Sequence, residues 1–351
     1  MKKSLLSLLV VLLCAAAFFT SCASKPEVVT PVEPVEPGTP ENIEQVTPEP
    51  VEPGIAEERE IIPATLTKTD SRMLWRIDGT DKNGNPSVVY VLGTFHFADD
   101  SIYPLSDEIL NAWNSADRLV AEISSYDQER LSMEVLPTML EESQRLAVGH
   151  NVIDELSPDS RLFFYNTFSP EQREVFNSNE PWYLGLSCSS GIVMALGMDS
   201  SDGLDAVLSS MAEDAGRTIE GLDALETQVA ILRFGDWDEQ LVIAEQNVNE
   251  IINIQESFQN IFDLYSAYIA DDPETIALLV DGEELDEADE ESNPVLVRYN
   301  KAVYEDRNND WSEKIYDYLQ DGGSTFIFAG SAHFCSQNSV FNIMKAKNYL
   351  K

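Results

Sequence analysis

The hydrophobic and polar positions divide this chain into three parts with different patterns. Residues 5–19 are an almost uninterrupted apolar run, which is shorter than the roughly 20 residues that a membrane-spanning helix needs. Residues 24–64 consist of proline, glutamate and valine with little else. From about residue 66 to residue 351, short β-prone runs alternate with amphipathic stretches. Only this last part has the pattern of a folded globular domain.

Short apolar runs in the globular part predict β-strands. Residues 73–77 and 87–92 flank Asn83-Gly84, a pair that is typical of tight turns, so the two runs are predicted to form a hairpin. Further strands are predicted at residues 118–123, 217–221 and 325–329.

Apolar residues at helical spacing predict helices over much of the remaining globular part. Leu105, Ile109 and Trp113 lie on one face of a helix that is predicted to begin near Pro104 and to end before Asp117. Further helices are predicted at residues 128–146, 161–168, 181–196, 204–215, 238–269, 311–319 and 338–347. Strands followed by helices indicate an α/β protein.

The N-terminus has the features of a targeting signal. Lys2 and Lys3 precede the apolar run, and small residues with a cysteine, Cys22, follow it. This arrangement resembles a bacterial lipoprotein signal and predicts a signal peptide at residues 1–21 and a lipid on Cys22. The protein is then exported and anchored to a membrane, in the periplasm or at the cell surface. Phe19 replaces the usual aliphatic residue, so secretion without a lipid stays open, as does an uncleaved anchor.

Residues 22–65 form a predicted stalk. Two near-repeats, residues 31–38 and 48–54, place prolines at short intervals between glutamates. Proline removes backbone donors and like charges repel, so a disordered, extended spacer is expected. The predicted organisation is therefore a signal peptide, a lipid-anchored stalk and one globular domain at residues 66–351.

Charge and cysteine content exclude some classes of function. The formal net charge of −40 comes from 62 acidic and 22 basic residues. Nucleic acid is not expected as a partner, because phosphate binding requires clustered lysine and arginine. Beyond the signal the cysteines are Cys188 and Cys335, so this is not a disulfide-rich scaffold. One bridge is possible, but the fold is not expected to depend on it.

Two of the three histidines share a local pattern that points to a site. An apolar strand followed by Gly-x-x-His occurs at residues 93–96 and again at residues 330–333. Glycine allows a sharp turn and a close approach at a strand end, where sites in α/β sheets usually form. If the two strands lie side by side, His96 and His333 enter one cleft. His150, in a loop, is expected to be structural.

Glu122 is the candidate third group of this site. It follows an apolar run, and a buried carboxylate costs several kcal/mol unless it is paired or bound to a metal. Two imidazoles and one carboxylate are the ligand set of a hydrolytic zinc, manganese or cobalt centre. His96, His333 and Glu122 are therefore predicted to bind a divalent metal ion. Glu122 could instead act as the general base.

Further polar residues are candidates for supporting this centre. Arg307 could stabilise a developing oxyanion, or form a salt bridge to the carboxylates of the site. Asp205 and Glu226 could orient the histidines, or be ordinary carboxylates at helix N-termini. Arg307 and Asn308 lie on the predicted helix that runs through residues 311–319, and Asn308 is a candidate for the same supporting role. The apolar face of this helix is formed by Val303, Trp311, Ile315 and Leu319.

Motifs along the globular part resemble the TraB/GumN family, which includes the Tiki proteins. The matching segments are residues 90–96, 103–105, 117–122, 203–205, 221–223 with Glu226 and Gln228, 306–308 and 326–333. They run in order over residues 72–350. Each motif is weak by itself, whereas the ordered set is specific.

The resemblance implies a single α/β domain with a central mixed β-sheet flanked by many helices, similar to the erythromycin-esterase and ChaN-like folds. It also implies that both Gly-x-x-His histidines lie at the active centre, with Asp223 among the supporting groups. Asp223 stands where the family often has glutamate, and residues 335–338 replace a turn that usually contains glycine. For Tiki proteins the resemblance implies metal-dependent proteolysis of an extracellular target. Other members are named for pheromone shutdown and polysaccharide gene clusters, so fold and site transfer better than substrate.

The sequence thus predicts an extracytoplasmic metal-dependent hydrolase of the peptidase class, acting on a peptide or protein. Two alternatives stay open: a non-catalytic surface lipoprotein that binds a ligand or a metal, and a metal-free, esterase-like hydrolase with histidine as the general base. His-Glu-x-x-His, Gly-x-Ser-x-Gly and phosphate-loop motifs are absent from the sequence, which removes the chemistries that depend on them.

Overall fold

A computed structural model describes residues 61–282 and 293–351 of this protein. The predicted signal peptide, Cys22 and most of the predicted stalk lie outside these residues. Ala64 is buried, and its amide donates a hydrogen bond to the Tyr349 carbonyl at 2.8 Å. The described chain therefore begins beside its own C-terminus.

A six-stranded mixed sheet lies at the centre of the fold, in the strand order β1-β2-β3-β6-β4-β5. The strands are β1 Thr65–Lys68, β2 Leu74–Thr80, β3 Pro86–Thr94, β4 Arg118–Ala121, β5 Ile219–Gly221 and β6 Gly323–Gly330. β1 pairs with β2, and β2 with β3, in antiparallel fashion, whereas β3, β6, β4 and β5 are parallel. The carboxyl ends of these four parallel strands therefore meet at one edge of the sheet.

The hairpin predicted around Asn83-Gly84 is confirmed by β2 and β3. Asp81 Oδ1 closes the turn by accepting hydrogen bonds from the amides of Asn83 and Asn85, each at 2.8 Å. Ile77 pairs with Val89 in the antiparallel register, and both side chains are fully buried. The hairpin is thus held by its turn at one end and by the core along its length.

Helices make up most of the rest of the described chain. They are α1 Asp107–Ser115, α2 Ser125–Arg130, α3 Leu136–Leu146, α4 Val152–Glu155, α5 Pro158–Thr167, α6 Pro170–Asn177, α7 Pro181–Leu196, α8 Leu204–Asp214, α9 Leu225–Leu232, α10 Trp237–Ile252, α11 Ile254–Ile269, α12 Pro273–Asp281, α13 Pro294–Asn300, α14 Arg307–Asp321, α15 Ala332–Cys335 and α16 Val340–Ala346. Two π-helical segments, Leu131–Val135 and Lys301–Asp306, lead into α3 and α14.

For two of the predicted helices, the difference from the structure has a clear local reason. The helix expected near Pro104 begins at Asp107, because the Ser106 hydroxyl accepts the amide of Ile109 and caps the first turn. The long helix predicted at residues 238–269 is two helices, since the backbone leaves the helical conformation at Asn253. Both halves bury an apolar face, so the spacing of apolar residues alone shows no break there.

The predicted class is confirmed: an α/β fold with a central mixed sheet flanked by many helices. Cys188 and Cys335 are free thiols, so no bridge joins them. Within residues 61–282 and 293–351, no helix combines the length and the apolar composition that crossing a membrane requires.

Candidate functional site

The two Gly-x-x-His segments meet at the carboxyl edge of the sheet. β3 and β6 are parallel neighbours, and Thr94 lies opposite Gly330 in their register. The Ser331 amide also donates to the Thr94 carbonyl at 2.9 Å, beyond the last paired residues. The two strands therefore lie side by side, which is the condition on which the prediction of a shared site depends.

His96 is held by a carboxylate from the start of helix α8. Its Nδ1 lies 2.8 Å from Asp205 Oδ2, and Asp205 Oδ1 accepts a hydrogen bond from the Thr94 hydroxyl at 2.6 Å. A Cβ at Gly203 would lie 2.2 Å from the His96 carbonyl oxygen, so only glycine allows α8 to begin this close to the histidine. The close approach brings Asp205 to the imidazole and leaves Nε2 directed away from it.

Glu122 follows β4 and lies opposite His96. Its Oε1 accepts a hydrogen bond from the Gly330 amide at 2.9 Å and lies 3.8 Å from His96 Nε2. Its Oε2 pairs with Arg307 Nη2. A Cβ at position 330 would lie 3.1 Å from His96 Nε2 and 3.3 Å from Glu122 Oε1. Glycine at this position therefore keeps side-chain atoms out of tight contact with the imidazole and the carboxylate.

Arg307 is buried, at 3% exposure, and is paired with two carboxylates. Besides Glu122 it contacts Asp223, whose Oδ2 lies 2.8 Å from the arginine Nε. Burial alone would lower the pKa of Arg307, but the charges of Asp223 and Glu122 outweigh it and raise the pKa. The structure thus contains the predicted salt bridge to the site carboxylates, and the oxyanion role of Arg307 stays a prediction.

His333 contacts an amide and the guanidinium. Its Nδ1 lies 2.6 Å from Asn308 Oδ1, and its Nε2 lies 3.3 Å from Arg307 Nη1. The Trp311 ring packs against the imidazole, with the centroids 4.3 Å apart. Unlike His96, His333 has no carboxylate among these contacts.

The two imidazoles consequently differ in charge. Burial alone would lower the pKa of His96, but Asp205 and then Glu122 outweigh it and raise the pKa to about 9. Burial, reinforced by the charges of Arg307 and His96, holds the pKa of His333 well below its ordinary value. At neutral pH and without a metal, His96 is therefore an imidazolium and His333 a neutral imidazole.

Three side chains of the site could hold a metal ion. The potential ligand atoms of His96, Glu122 and Asp205 all lie within 4.8 Å of one another. Within residues 61–282 and 293–351, this is the one cluster of histidine, cysteine and acidic side chains close enough to share a metal ion. They line a cavity of about 150 Å³ together with neutral side chains that include Gln128, Ser200 and Ser209. One imidazole and two carboxylates are ligands that zinc, manganese and cobalt accept. The residues present therefore fit a divalent ion.

The remaining predicted site residues fall into two groups. Asp223 and Asn308 belong to the buried network around Arg307 and His333, whereas Glu226 lies exposed in the first turn of α9 and is not brought to it. His150 lies in a loop and packs against Trp237, with the ring centroids 3.9 Å apart. The structure does not bring it to the site either.

Sequence reasoning did not single out Thr94 or Trp311 as parts of the site. Thr94 lies inside the first Gly-x-x-His motif and supports Asp205. Trp311 lies on the apolar face predicted for its helix, and its Nε1 donates a hydrogen bond to Asp223 at 2.6 Å. A buried tryptophan normally needs a partner for its N–H, and this requirement was the available signal.

Comparison with known proteins extends over this whole site. The sequence model of the TraB/PrgY/gumN family matches residues 73–350, which confirms the predicted resemblance. An uncharacterized protein of Treponema pallidum (strain Nichols) is 24% identical over 295 residues, which cover 84% of this chain and 86% of that protein. No solved structure matches the chain, so the likeness to erythromycin-esterase and ChaN-like folds stays a prediction.

Proposed function

The chain belongs to the TraB/PrgY/gumN family, and from that premise we propose that it is a metal-dependent hydrolase of the peptidase class, whose divalent ion is held by His96 and Glu122. One observation carries the proposal: His96 Nε2 and Glu122 Oε1 lie 3.8 Å apart, and Gly330 places no side chain against the space between them. A zinc, manganese or cobalt ion there supplies Lewis acidity toward a carbonyl group and toward water.

The charges of the protein favour a cation in this space. Without a metal, His96 carries a proton between the carboxylates of Asp205 and Glu122. To hold a divalent ion, His96 would lose the proton on Nε2, because an imidazole nitrogen must be unprotonated to bind a metal. Asp205 then accepts the remaining N–H of the ring at Nδ1 and keeps Nε2 directed into the space.

Glu122 is oriented from two sides. The Gly330 amide binds Oε1 and Arg307 binds Oε2, so the carboxylate cannot turn freely. Such anchoring suits a ligand that must stay in one place. In a variant of the proposal, Glu122 is the general base, and the same oxygen faces the reacting water. The sequence also predicts His333 as a ligand of the ion. Its Nε2 faces Arg307, so it could reach the ion only if the guanidinium moved.

Metal binding by the purified full-length protein tests the proposal. We expect elemental analysis to find a divalent ion. After the wild type has been stripped of metal with a chelator and the chelator removed, zinc, manganese or cobalt should raise its melting temperature. His96→Ala and Glu122→Gln should each abolish both effects, whereas His150→Ala, outside the site, should retain them. A folded wild type that contains no metal and does not respond to any of the three ions would refute the proposal.

A metal-free hydrolase is the second candidate, and the chain of hydrogen bonds from Thr94 through Asp205 to His96 supports it. An aspartate on Nδ1 is how imidazole bases are oriented in several hydrolases. A pKa of about 9, however, makes His96 an acid near neutrality and a base only in alkaline solution. Hydrolysis that persists in strong chelator and rises up to about pH 9 would favour this candidate. A protein that binds metal but hydrolyses no peptide or ester would instead be the non-catalytic binding lipoprotein.

Export and lipid anchoring at Cys22 complete the proposal, supported by Lys2, Lys3 and the apolar run before the cysteine. The anchor makes the membrane a partner and presents the site to peptides or proteins outside the cytoplasm. Cys22→Ala should move the protein from the membrane fraction to the soluble fraction, or leave it unprocessed. Unchanged fractionation and unchanged mature mass would exclude a lipid on this residue.

A further inference from the structure

We propose that His333 is a positioning residue: as a neutral imidazole with its proton on Nδ1, it accepts a hydrogen bond from Arg307 and so holds the guanidinium that orients Glu122. The inference rests on the proposed function in that Glu122 is a ligand of the ion. It differs from the sequence-based expectation, in which His333 binds the ion itself.

The orientation of Asn308 determines where the proton of His333 lies. Asn308 Nδ2 donates to the Asn338 carbonyl at 2.7 Å, and a flipped amide would place two carbonyl oxygens against each other. Asn308 Oδ1 therefore faces the histidine, 2.6 Å from Nδ1. An amide oxygen only accepts hydrogen bonds, so Nδ1 carries the proton.

The other ring nitrogen of His333 must then be an acceptor. Nε2 lies 3.3 Å from Arg307 Nη1, and a guanidinium offers only donors. A proton on Nε2 would set donor against donor, whereas its lone pair completes a hydrogen bond. Burial and the nearby guanidinium charge, which lower the pKa of His333, act in the same direction.

With this bond, Arg307 is held on each of its nitrogens. Nη1 donates to the Val303 carbonyl at 3.2 Å as well as to His333, Nε donates to Asp223, and Nη2 pairs with Glu122. The guanidinium is planar, so fixing Nη1 and Nε also fixes the direction of Nη2. His333 thereby acts on Glu122 through Arg307 and does not need to touch the ion.

Trp311 supports the same arrangement from the side. Its ring lies 4.7 Å from the Arg307 guanidinium carbon and 4.3 Å from the His333 ring centroid, and its Nε1 binds Asp223. One rigid side chain thus packs against both partners of the proposed bond. The Arg307 guanidinium and the His333 imidazole therefore have little freedom to move apart.

Nitrogen NMR of the full-length protein labelled with ¹⁵N-histidine tests the inference directly. We expect His333 to show a protonated Nδ1 and an unprotonated Nε2, and to keep both signals when Zn²⁺ is added, while the Nε2 signal of His96 shifts. A zinc-dependent shift of His333 Nε2, or a proton on that nitrogen, would overturn the inference. If zinc binds nowhere, the proposed function fails, yet the tautomer of His333 still decides whether it accepts from Arg307.

Zinc affinity of matched variants gives the second readout. His333→Leu removes the acceptor and should weaken zinc binding roughly 10- to 100-fold, the usual cost of losing a group that orients a ligand. His333→Gln, which retains an acceptor oxygen, should recover part of this loss, whereas His96→Gln should not recover binding. Equal loss of all binding in both His333 variants, with the fold intact by circular dichroism, would identify a ligand and contradict the positioning role.

Discussion

His96 and His333 come from the same four-residue motif at the ends of adjacent parallel strands, yet they have opposite properties. His96 faces a carboxylate on each side, and its pKa is raised to about 9. His333 faces an amide and a guanidinium, and its pKa is lowered well below 6.5. The motif therefore determines where each imidazole lies, and its neighbours determine its charge.

The difference between the two halves of the site depends on two helix-borne residues. Asp205, at the start of α8, binds Nδ1 of His96, whereas Asn308, in the first turn of α14, binds Nδ1 of His333. The negative charge of a carboxylate stabilises the imidazolium form of the histidine beside it. An amide oxygen carries no net charge and does not give this stabilisation. Arg307 separates the halves and pairs with Glu122 on one side while contacting His333 on the other.

Removing the positive charge of Arg307, which lies between the His96 and His333 halves of the site, should have the largest effect on stability. Arg307→Met leaves Glu122 and Asp223 as buried carboxylates without their partner, so we expect a loss of about 3–5 kcal/mol in the free energy of unfolding. Urea denaturation measures it. Arg118→Met is the matched control, because its salt bridge to Glu220 is partly exposed and is worth at most about 1 kcal/mol. Equal losses in the two variants would contradict the buried-network interpretation.

The raised pKa of His96 should make the chelated protein less stable at alkaline pH. The folded pKa of about 9 exceeds the ordinary 6.5, so the stabilisation is complete below pH 6.5 and is lost between pH 6.5 and 9. The loss should reach about 3 kcal/mol, since each unit of pKa shift corresponds to about 1.4 kcal/mol. Denaturant melts at a series of pH values in chelator measure it.

Asp205→Asn sharpens the pH comparison. The substitution gives His96 an amide partner on Nδ1, as His333 has. Asp205 makes the largest contribution that raises the pKa of His96, so most of the loss of stability at alkaline pH should disappear. His333 acts in the opposite sense: its folded pKa is lowered, so its contribution is lost as the pH falls below 6.5. An unchanged alkaline slope in Asp205→Asn would show that another group titrates.

The smallest effect is expected for the third histidine. His150 is about 43% exposed, its Nδ1 lies 3.1 Å from Glu155 Oε1, and its ring packs against Trp237. His150→Ala should change the unfolding free energy by no more than about 0.5–1 kcal/mol and should leave zinc affinity unchanged. Calorimetry of unfolding and of zinc binding checks both. A loss of zinc binding would assign His150 to a metal site, and the conclusion that it differs in role from His96 and His333 would be wrong.

Local sequence was sufficient for much of the fold and for part of the site. Asn83-Gly84 and its flanking β-prone runs predicted the hairpin, and the boundaries of α7 at Pro181 and Leu196 agree with the prediction. The paired motifs placed His96 and His333 just beyond the ends of two strands, and these strands are neighbours in the sheet. The edge strand β1 was not predicted, because its four residues lack a buried face.

The sequence by itself determined the alternation of strands and helices, the family and the histidine-bearing strand ends, because turns, apolar periods and short motifs act within a few residues. Only the tertiary structure decided which partner each histidine receives. Asp205 is 109 residues from His96, and Arg307 is 185 residues from Glu122. Such pairs depend on how α8 and α14 pack against the sheet, and the charge of each imidazole follows from burial and from these distant neighbours. No local pattern contains that information, so two identical motifs could not be told apart until the fold was known.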